Sequence, residues 1–219
     1  DPFGHTRGLV QILAGTGYDS YIFCRPHEGL CHLPAETFRW VGYDGSSVIA
    51  QRAQTGYSTA LGNAMKKIRP TTEALTDAAP LGFCLWGVGN HGGGPSREDI
   101  RAINAFMEEA KAEGVTVLHS TPEAYFADVR AEAAAGTRVL PEHHGDLTAW
   151  AQGCYTSQVL IKQKYRQTEN SLFSAEKAVS HAVLLGLMEY PEKEFGEALY
   201  DLLTVQFHDV LPGTSIQPA

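Results

Sequence analysis

Leu81-Gly82-Phe83-Cys84-Leu85-Trp86-Gly87-Val88-Gly89-Asn90-His91-Gly92-Gly93-Gly94-Pro95-Ser96 runs from an apolar, aromatic segment through a glycine-rich turn to a helix start. Residues 81–87 have the length and aromatic content of a buried strand. Ser96 is placed to cap a helix, with Asp99 three residues on, close to a capping box. Ile100, Ile103 and Met107 then recur at helical spacing and predict its buried stripe. Residues 115–118 predict the next strand. Thr121-Pro122-Glu123 opens another helix, with proline at its favoured first position. Strand, helix, strand, helix in this cadence predicts a parallel α/β sheet or barrel, not an antiparallel fold.

Upstream of this stretch, residues 6–17 carry Leu9, Ile12 and Leu13 on one helical face, and Gly17 stops the helix. Residues 19–25 predict a strand. Residues 38–41 and 48–51 flank the turn sequence Tyr43-Asp44-Gly45-Ser46 and predict a hairpin. After about residue 150 the texture changes. Ile161, Tyr165, Thr168, Leu172, Ala175, Val179, Ala182 and Gly186 step by fours and threes. That spacing keeps one seam facing a partner helix over roughly 38 Å. Thr156 or Ser157 is the expected N-cap of this long helix. Tyr190-Pro191 breaks it, and Phe195, Leu199 and Leu202 line one side of a second helix. The two helices read as the beginning of a bundle, with a domain boundary near residues 138–150.

Bulk properties exclude several functions. Hydrophobic residues make up 43% of the 219, yet no apolar run reaches the length of a membrane span. The net charge is −8, and the 17 Lys and Arg form no basic stripe, so nucleic acid is not an expected partner. Lys66-Lys67-Ile68-Arg69 reads as a solvated helix face. Cys24 and Cys31 do not have zinc-ribbon spacing, and Cys24 and Cys84 sit in apolar runs. With Cys154, they read as reduced, structural thiols. No Asn-X-Ser/Thr sequon occurs, which favours a cytosolic or bacterial source and a cytoplasmic location.

Chemistry-bearing residues gather at three places. The first is Asp1-Pro2-Phe3-Gly4-His5, just before a helix, where α/β domains collect functional side chains. The second is the glycine-rich turn quoted above, which lacks the lysine and spacing of a P-loop. The third is Phe207-His208-Asp209-Val210-Leu211-Pro212-Gly213-Thr214. Taken alone, Asp1 reads as a helix cap and His208 as a histidine meeting the last carbonyls of a helix.

Together these motifs resemble the catalytic core of the family 38 retaining α-mannosidases, more the bacterial and cytosolic branch than the Golgi branch. Gln152-Gly153-Cys154-Tyr155-Thr156-Ser157, Glu169 and Ala175-Glu176 extend the resemblance, which covers nearly the whole chain. It implies a parallel, barrel-like α/β domain of the seven-stranded type, followed by an α-helical bundle segment. Residues 1–145 would then be the C-terminal part of the catalytic domain, and residues 146–219 the start of a helical middle domain. It also implies retaining, zinc-dependent hydrolysis of an α-mannoside or a mannose-containing oligosaccharide.

By the same resemblance, Asp1 both binds zinc and attacks the anomeric carbon. His208 is a second zinc ligand, and Asp209 grips sugar hydroxyls. Zinc accepts such N and O donors at about 2.0–2.2 Å. The family's other two ligands come from a His-X-Asp motif on an earlier strand that this chain does not contain. Arg25 resembles a strand-end arginine that keeps the nucleophilic carboxylate ionised, a role suited to a fixed guanidinium. Tyr57 and His5 are weaker candidates for the pocket wall, each more readily explained by packing.

Asn90 stands where the family's Gly-X-Gly-Asp-X-Gly-Gly-Gly-Pro turn has its acid aspartate. Retaining glycosidases need a second group that protonates the leaving oxygen. An amide cannot give up a proton at neutral pH, whereas the adjacent His91 can, since an imidazole ordinarily titrates at about pH 6.5. Either His91 replaces the aspartate, or another carboxylate reaches in, or turnover is weak. The last case describes an impaired, sugar-binding relative. The chain opens on the expected nucleophile with no initiator Met, so it reads as a piece of a longer enzyme. Such a piece is expected to be inactive alone and open to self-association through an uncovered sheet.

Overall fold

The computed structural model describes residues 2–77, 79–89 and 93–216. The chain divides into two compact units, one formed by residues 5–149 and the other by residues 1–4 with 150–219.

The first unit is a mixed sheet covered by helices. Its strands are β1 (Ser20–Phe23), β2 (Thr37–Val41), β3 (Ser47–Arg52) and β4 (Glu142–His143), in the order β1-β3-β2-β4. β3 pairs parallel with β1 and antiparallel with β2, and β2 pairs parallel with β4. The expected hairpin is therefore present. It also makes the sheet mixed where the strand–helix cadence predicted only parallel neighbours. Its turn closes through Gly42 N–H to Ser46 O at 2.8 Å and through Asp44 Oδ1, which accepts from Ser46 N at 3.0 Å.

Alternation along β3 sends successive side chains to opposite faces. Val48 and Ala50 join Val10 of α1 (Leu9–Gly15), Phe23, Phe38, Trp40 and Leu147 in one core. Ile49 points the other way, to Tyr125, Phe126 and Val129 of α4 (Pro122–Ala134). Gln51 shares that second face. Its Oε1 accepts from Thr37 Oγ1 and Tyr125 Oη, both at 2.6 Å, so a buried amide joins two strands and a helix. A third core forms between α2 (Met65–Glu73) and α3 (Arg97–Ala112), from Ala64, Ile68, Ile103, Phe106 and Ala110.

Both predicted caps are made. Ser96 Oγ accepts from Asp99 N, and Thr121 Oγ1 accepts from Ala124 N. Of the expected stripe on α3, Ile103 is buried, while Ile100 and Met107 are half-buried. Two predicted strands do not form ladders. Residues 81–87 and 115–118 form no ladder among the described residues, and an isolated bridge, Thr59 to Val88, lies one residue past the first stretch. A strand needs a partner to exchange hydrogen bonds. These apolar segments instead border a cavity of about 310 Å³ with Ile68, Thr71 and Tyr125.

The second unit is helical. A short 3-10 turn (Gln152–Tyr155) precedes α5 (Val159–Leu184), and α6 (Glu192–Val205) packs against it. Along the predicted seam, Tyr165 is buried and Ile161, Leu172, Val179 and Ala182 are half-buried, whereas Thr168 and Ala175 are exposed. Tyr165 Oη donates to Glu169 Oε1 at 2.9 Å and accepts from Gln206 Nε2 at 2.6 Å. The expected N-cap is not made. Gln158 precedes α5 in the left-handed region, φ 49° and ψ 49°, with no capping side chain. On α6, Leu202 is buried but Leu199 is 43% exposed. Among the described residues no helix is long and apolar enough to cross a membrane.

Asp99 does more than complete a capping box. Its Oδ1 accepts from Ala64 N at 2.9 Å, and its Oδ2 from Gly62 N at 3.1 Å and Ser96 Oγ at 2.5 Å. Burial pushes its pKa up, but these bonds from Ser96, Ala64 and Gly62 outweigh burial and hold it below the usual carboxylate value. The stabilisation from ionised Asp99 is present above the unfolded pKa of about 3.9 and is lost as pH falls through the folded value. Asp99→Ala leaves the buried Ala64 amide unpaired, removes the bond to Gly62, and is expected to cost about 2 kcal/mol in urea unfolding at pH 7. Its stability should also fall less on acidification than that of the parent chain.

Candidate functional site

Three segments carry the expected site residues, and the fold shapes each of them locally. Asp1, Asn90 and His91 lie outside the described residues. The nearest described residues are Pro2 on one side and Gly89 and Gly93 on the other.

His5, four positions after Asp1, is buried at 4% exposure. Its Nε2 sits 3.0 Å from Arg25 O, and its Nδ1 sits 2.7 Å from Tyr21 Oη. A carbonyl only accepts, so Nε2 carries the proton and Nδ1 accepts from the tyrosine. The ring packs edge-on to Tyr21. His5 thus joins the entry to α1 to the segment after β1, a packing role of the kind the sequence favoured. Arg25 is half-buried, two residues beyond the C-terminal end of β1, and its carbonyl is held by His5.

The glycine-rich turn is closed at its base. Val88 N donates to Gly94 O at 3.0 Å, and Gly89 N donates to Thr59 O at 3.0 Å. Thr59 N and Oγ1 both donate to Gly87 O, at 2.6 and 3.1 Å. A side chain on Gly87 would overlap the carbonyl of Gly93, and one on Gly93 would overlap that of Val88. The two limbs come too close for any other residue. Half-buried Tyr57 lies beside this base, its carbonyl 3.9 Å from where a Gly87 side chain would begin.

His208 and Asp209 follow α6 in a compact turn. Asp209 O accepts from Thr214 N at 3.0 Å and Ser215 N at 2.7 Å, and Asp209 Oδ1 accepts from Thr214 Oγ1 at 2.7 Å. Asp209 Oδ2 stands 3.4 Å from His208 Nε2. Both side chains remain partly exposed, at 32% and 40%. Gly213 takes φ +86° and lies so close to Gln158 that a side chain would overlap Gln158 Cβ and Cγ. Sequence reasoning missed what supports this turn. Lys162 and Ser157, at the start of α5, donate to its carbonyls. Only the match at Gln152–Ser157 hinted that the helix start matters.

For zinc, the chemistry of the His208 side chain fits, being an accessible imidazole beside a carboxylate. The set is incomplete. Among the described residues no group of three or more His, Cys, Asp or Glu side chains could hold a metal ion. Near the sheet, a cavity of about 420 Å³ is lined by Thr37, Gln51, Lys67, Tyr125 and Arg138, none of them an expected site residue.

Residues 1–153 match the family described as glycosyl hydrolases family 38 N-terminal domain, and residues 149–219 match the alpha mannosidase middle domain. The chain belongs to glycosyl hydrolase family 38. It is 26% identical over 226 residues to an alpha-mannosidase of Saccharomyces cerevisiae, which covers 99% of this chain and 21% of that protein. Alpha-mannosidase G of Dictyostelium discoideum is 26% identical, over 99% of this chain and 20% of its own length. Human alpha-mannosidase 2C1 is 27% identical, over 99% and 21%. The chain therefore spans about a fifth of the length of the curated relatives it matches.

Two outcomes follow from this geometry. Gly213→Ala meets both a left-handed backbone and the Gln158 side chain, so the turn should shift, with a loss of about 1–3 kcal/mol in denaturant unfolding. Burial lowers the pKa of His5, and likewise that of His143. Protons then bind the unfolded chain more readily. The stability tied to neutral His5 is complete above about pH 6.5 and declines as pH falls toward the folded value. His5→Gln should flatten that decline in a pH series of melting temperatures.

Proposed function

We propose that the longer protein containing this chain hydrolyses α-mannosidic bonds with retention of configuration. The observation that carries this reading is family 38 membership across the sheet unit, joined to a folded His208-Asp209 turn in the middle-domain segment. The four-strand mixed sheet is part of a larger, barrel-like α/β domain in that protein, and the two helices begin a bundle. The substrates are α-mannosides or mannose-containing oligosaccharides. The absence of a sequon favours a cytoplasmic location.

The Asp1 carboxylate attacks the anomeric carbon, and the bond from that carbon to the leaving oxygen breaks. His91 gives its proton to that oxygen, while Asn90 orients it by hydrogen bonding. A water molecule then yields a proton to the same imidazole and displaces the carboxylate, which frees the sugar and restores both groups. Two inversions at one carbon give net retention. Asp209, Arg25 and Tyr57 bind the sugar. Asp1 and His208 would hold a zinc ion, which when bound supplies a template and electrostatic anchor for ring hydroxyls. This chain alone is inactive, because it contains only part of the ligand set.

Asn90 favours one other reading, a sugar-binding relative that has lost turnover. Purified longer protein should release the chromophore of an aryl α-mannoside and yield α-mannose as the first product by NMR. Removal of zinc by a chelator should abolish release, and added zinc should restore it. His91→Ala should lower kcat about 100-fold or more. Intact turnover in that variant would reassign the acid, and no release by the parent would establish the sugar-binding reading.

A further inference from the structure

The start of α5 and the turn after α6 are fastened to each other by bonds that the mannosidase reading leaves unexplained. Lys162 Nζ, on the first turn of α5, donates to Leu211 O at 3.0 Å, to Pro212 O at 3.3 Å and to Ser157 O. Ser157 Oγ donates to Pro212 O at 2.9 Å. Gly213 packs directly on Gln158, and Gln158 itself holds a left-handed backbone that an L side chain adopts only at a cost. An ammonium has three donors, and here they meet three main-chain carbonyls. A solvated lysine would gain nothing from this ordering of a long side chain. The same arrangement explains why Ser157 does not cap α5: its hydroxyl is committed to Pro212.

These bonds act on one short piece of chain. Asp209 is fixed to Thr214 and Ser215 on the far side of Leu211-Pro212-Gly213, and His208 is its neighbour. Whatever holds the two carbonyls at 211 and 212 sets the direction in which His208 and Asp209 project.

We propose that Lys162, assisted by Ser157, is a positioning residue for the His208-Asp209 turn. It clamps the Leu211 and Pro212 carbonyls so that the imidazole and the carboxylate are aimed before any ligand arrives. The function of this aiming rests on the reading above, that His208 and Asp209 serve the mannosidase site.

Amide hydrogen exchange of the 219-residue chain, followed by NMR, tests the clamp without metal or substrate. In Lys162→Met, the Thr214 and Ser215 amides should exchange about tenfold faster or more, the size expected for loss of one charge-assisted hydrogen bond. Amides in the middle of α5, from Glu169 to Phe173, should be unchanged, and Lys162→Arg should recover part of the protection. Should Lys162→Met fail to fold, Ser157→Ala, which removes a single bond, should give the same local acceleration. Unchanged exchange at Thr214 and Ser215, or uniform acceleration along α5, would overturn the proposal. In the longer enzyme, Lys162→Met should lower kcat/KM for an aryl α-mannoside about tenfold with its melting temperature retained. If His208→Ala abolishes activity while Lys162→Met leaves it intact, the positioning role fails alone. If His208→Ala leaves activity and zinc content intact, the site reading fails and the exchange result stands by itself.

Discussion

β3 is the strand on which the sheet unit depends, because it is buried on both faces and bonded along both edges. It offers Val48 and Ala50 to α1 and Ile49 and Gln51 to α4, and it ladders with β1 and β2 at once. Gln51 is a buried polar residue on this strand, and its amide is satisfied by Thr37, Tyr125 and the carbonyl of Arg52. A buried amide left unpaired is costly, so the second face is held in register by hydrogen bonding as well as by packing. The loop after β3 runs on to Thr59, which closes the base of the glycine-rich turn. A strand fixed at this depth thus leads directly to the residue that closes the base of that turn.

Elements set by local chemistry were legible in the sequence. Ser96 and Thr121-Pro122 announce α3 and α4, and the hairpin follows from a turn sequence between two β-rich runs. The step of fours and threes announces α5. What the sequence could not give is set by partners. Residues 81–87 and 115–118 have strand composition, yet a ladder is a property of two segments, and among the described residues the backbone of the first pairs only with Thr59, at its end. β4 has two residues, too few to show a period. Lys66-Lys67-Ile68-Arg69 does lie on a helix, α2, but Ile68 is buried against α3 rather than solvated.

The same division runs through the candidate site. His208, Asp209, Gly213 and Thr214 stand out because they resemble a family turn, not by their own chemistry, and a turn forms there. Lys162 did not stand out, since a lysine on a helix ordinarily reads as a solvated surface residue. Nor could the misassigned cap at Thr156 or Ser157 be avoided from the sequence. A serine before a helix is the usual cap, but here Gln158 stands at the cap position in the left-handed region and the Ser157 hydroxyl is taken by Pro212. Motif residues are read from the resemblance they carry, whereas their supports are read only from their neighbours in space.

The turn after α6 has an evolutionary consequence. At positions 211 and 212 it is the oxygens of the peptide bonds that Lys162 and Ser157 grip, and every amino acid offers the same oxygen. Drift should therefore be cheap at Val210 and Leu211 so long as their bulk still fits. It should be almost forbidden at Gly213, where no side chain can be admitted. A gapped signature, with strict letters around permissive ones, is the trace that such a main-chain grip leaves in a lineage.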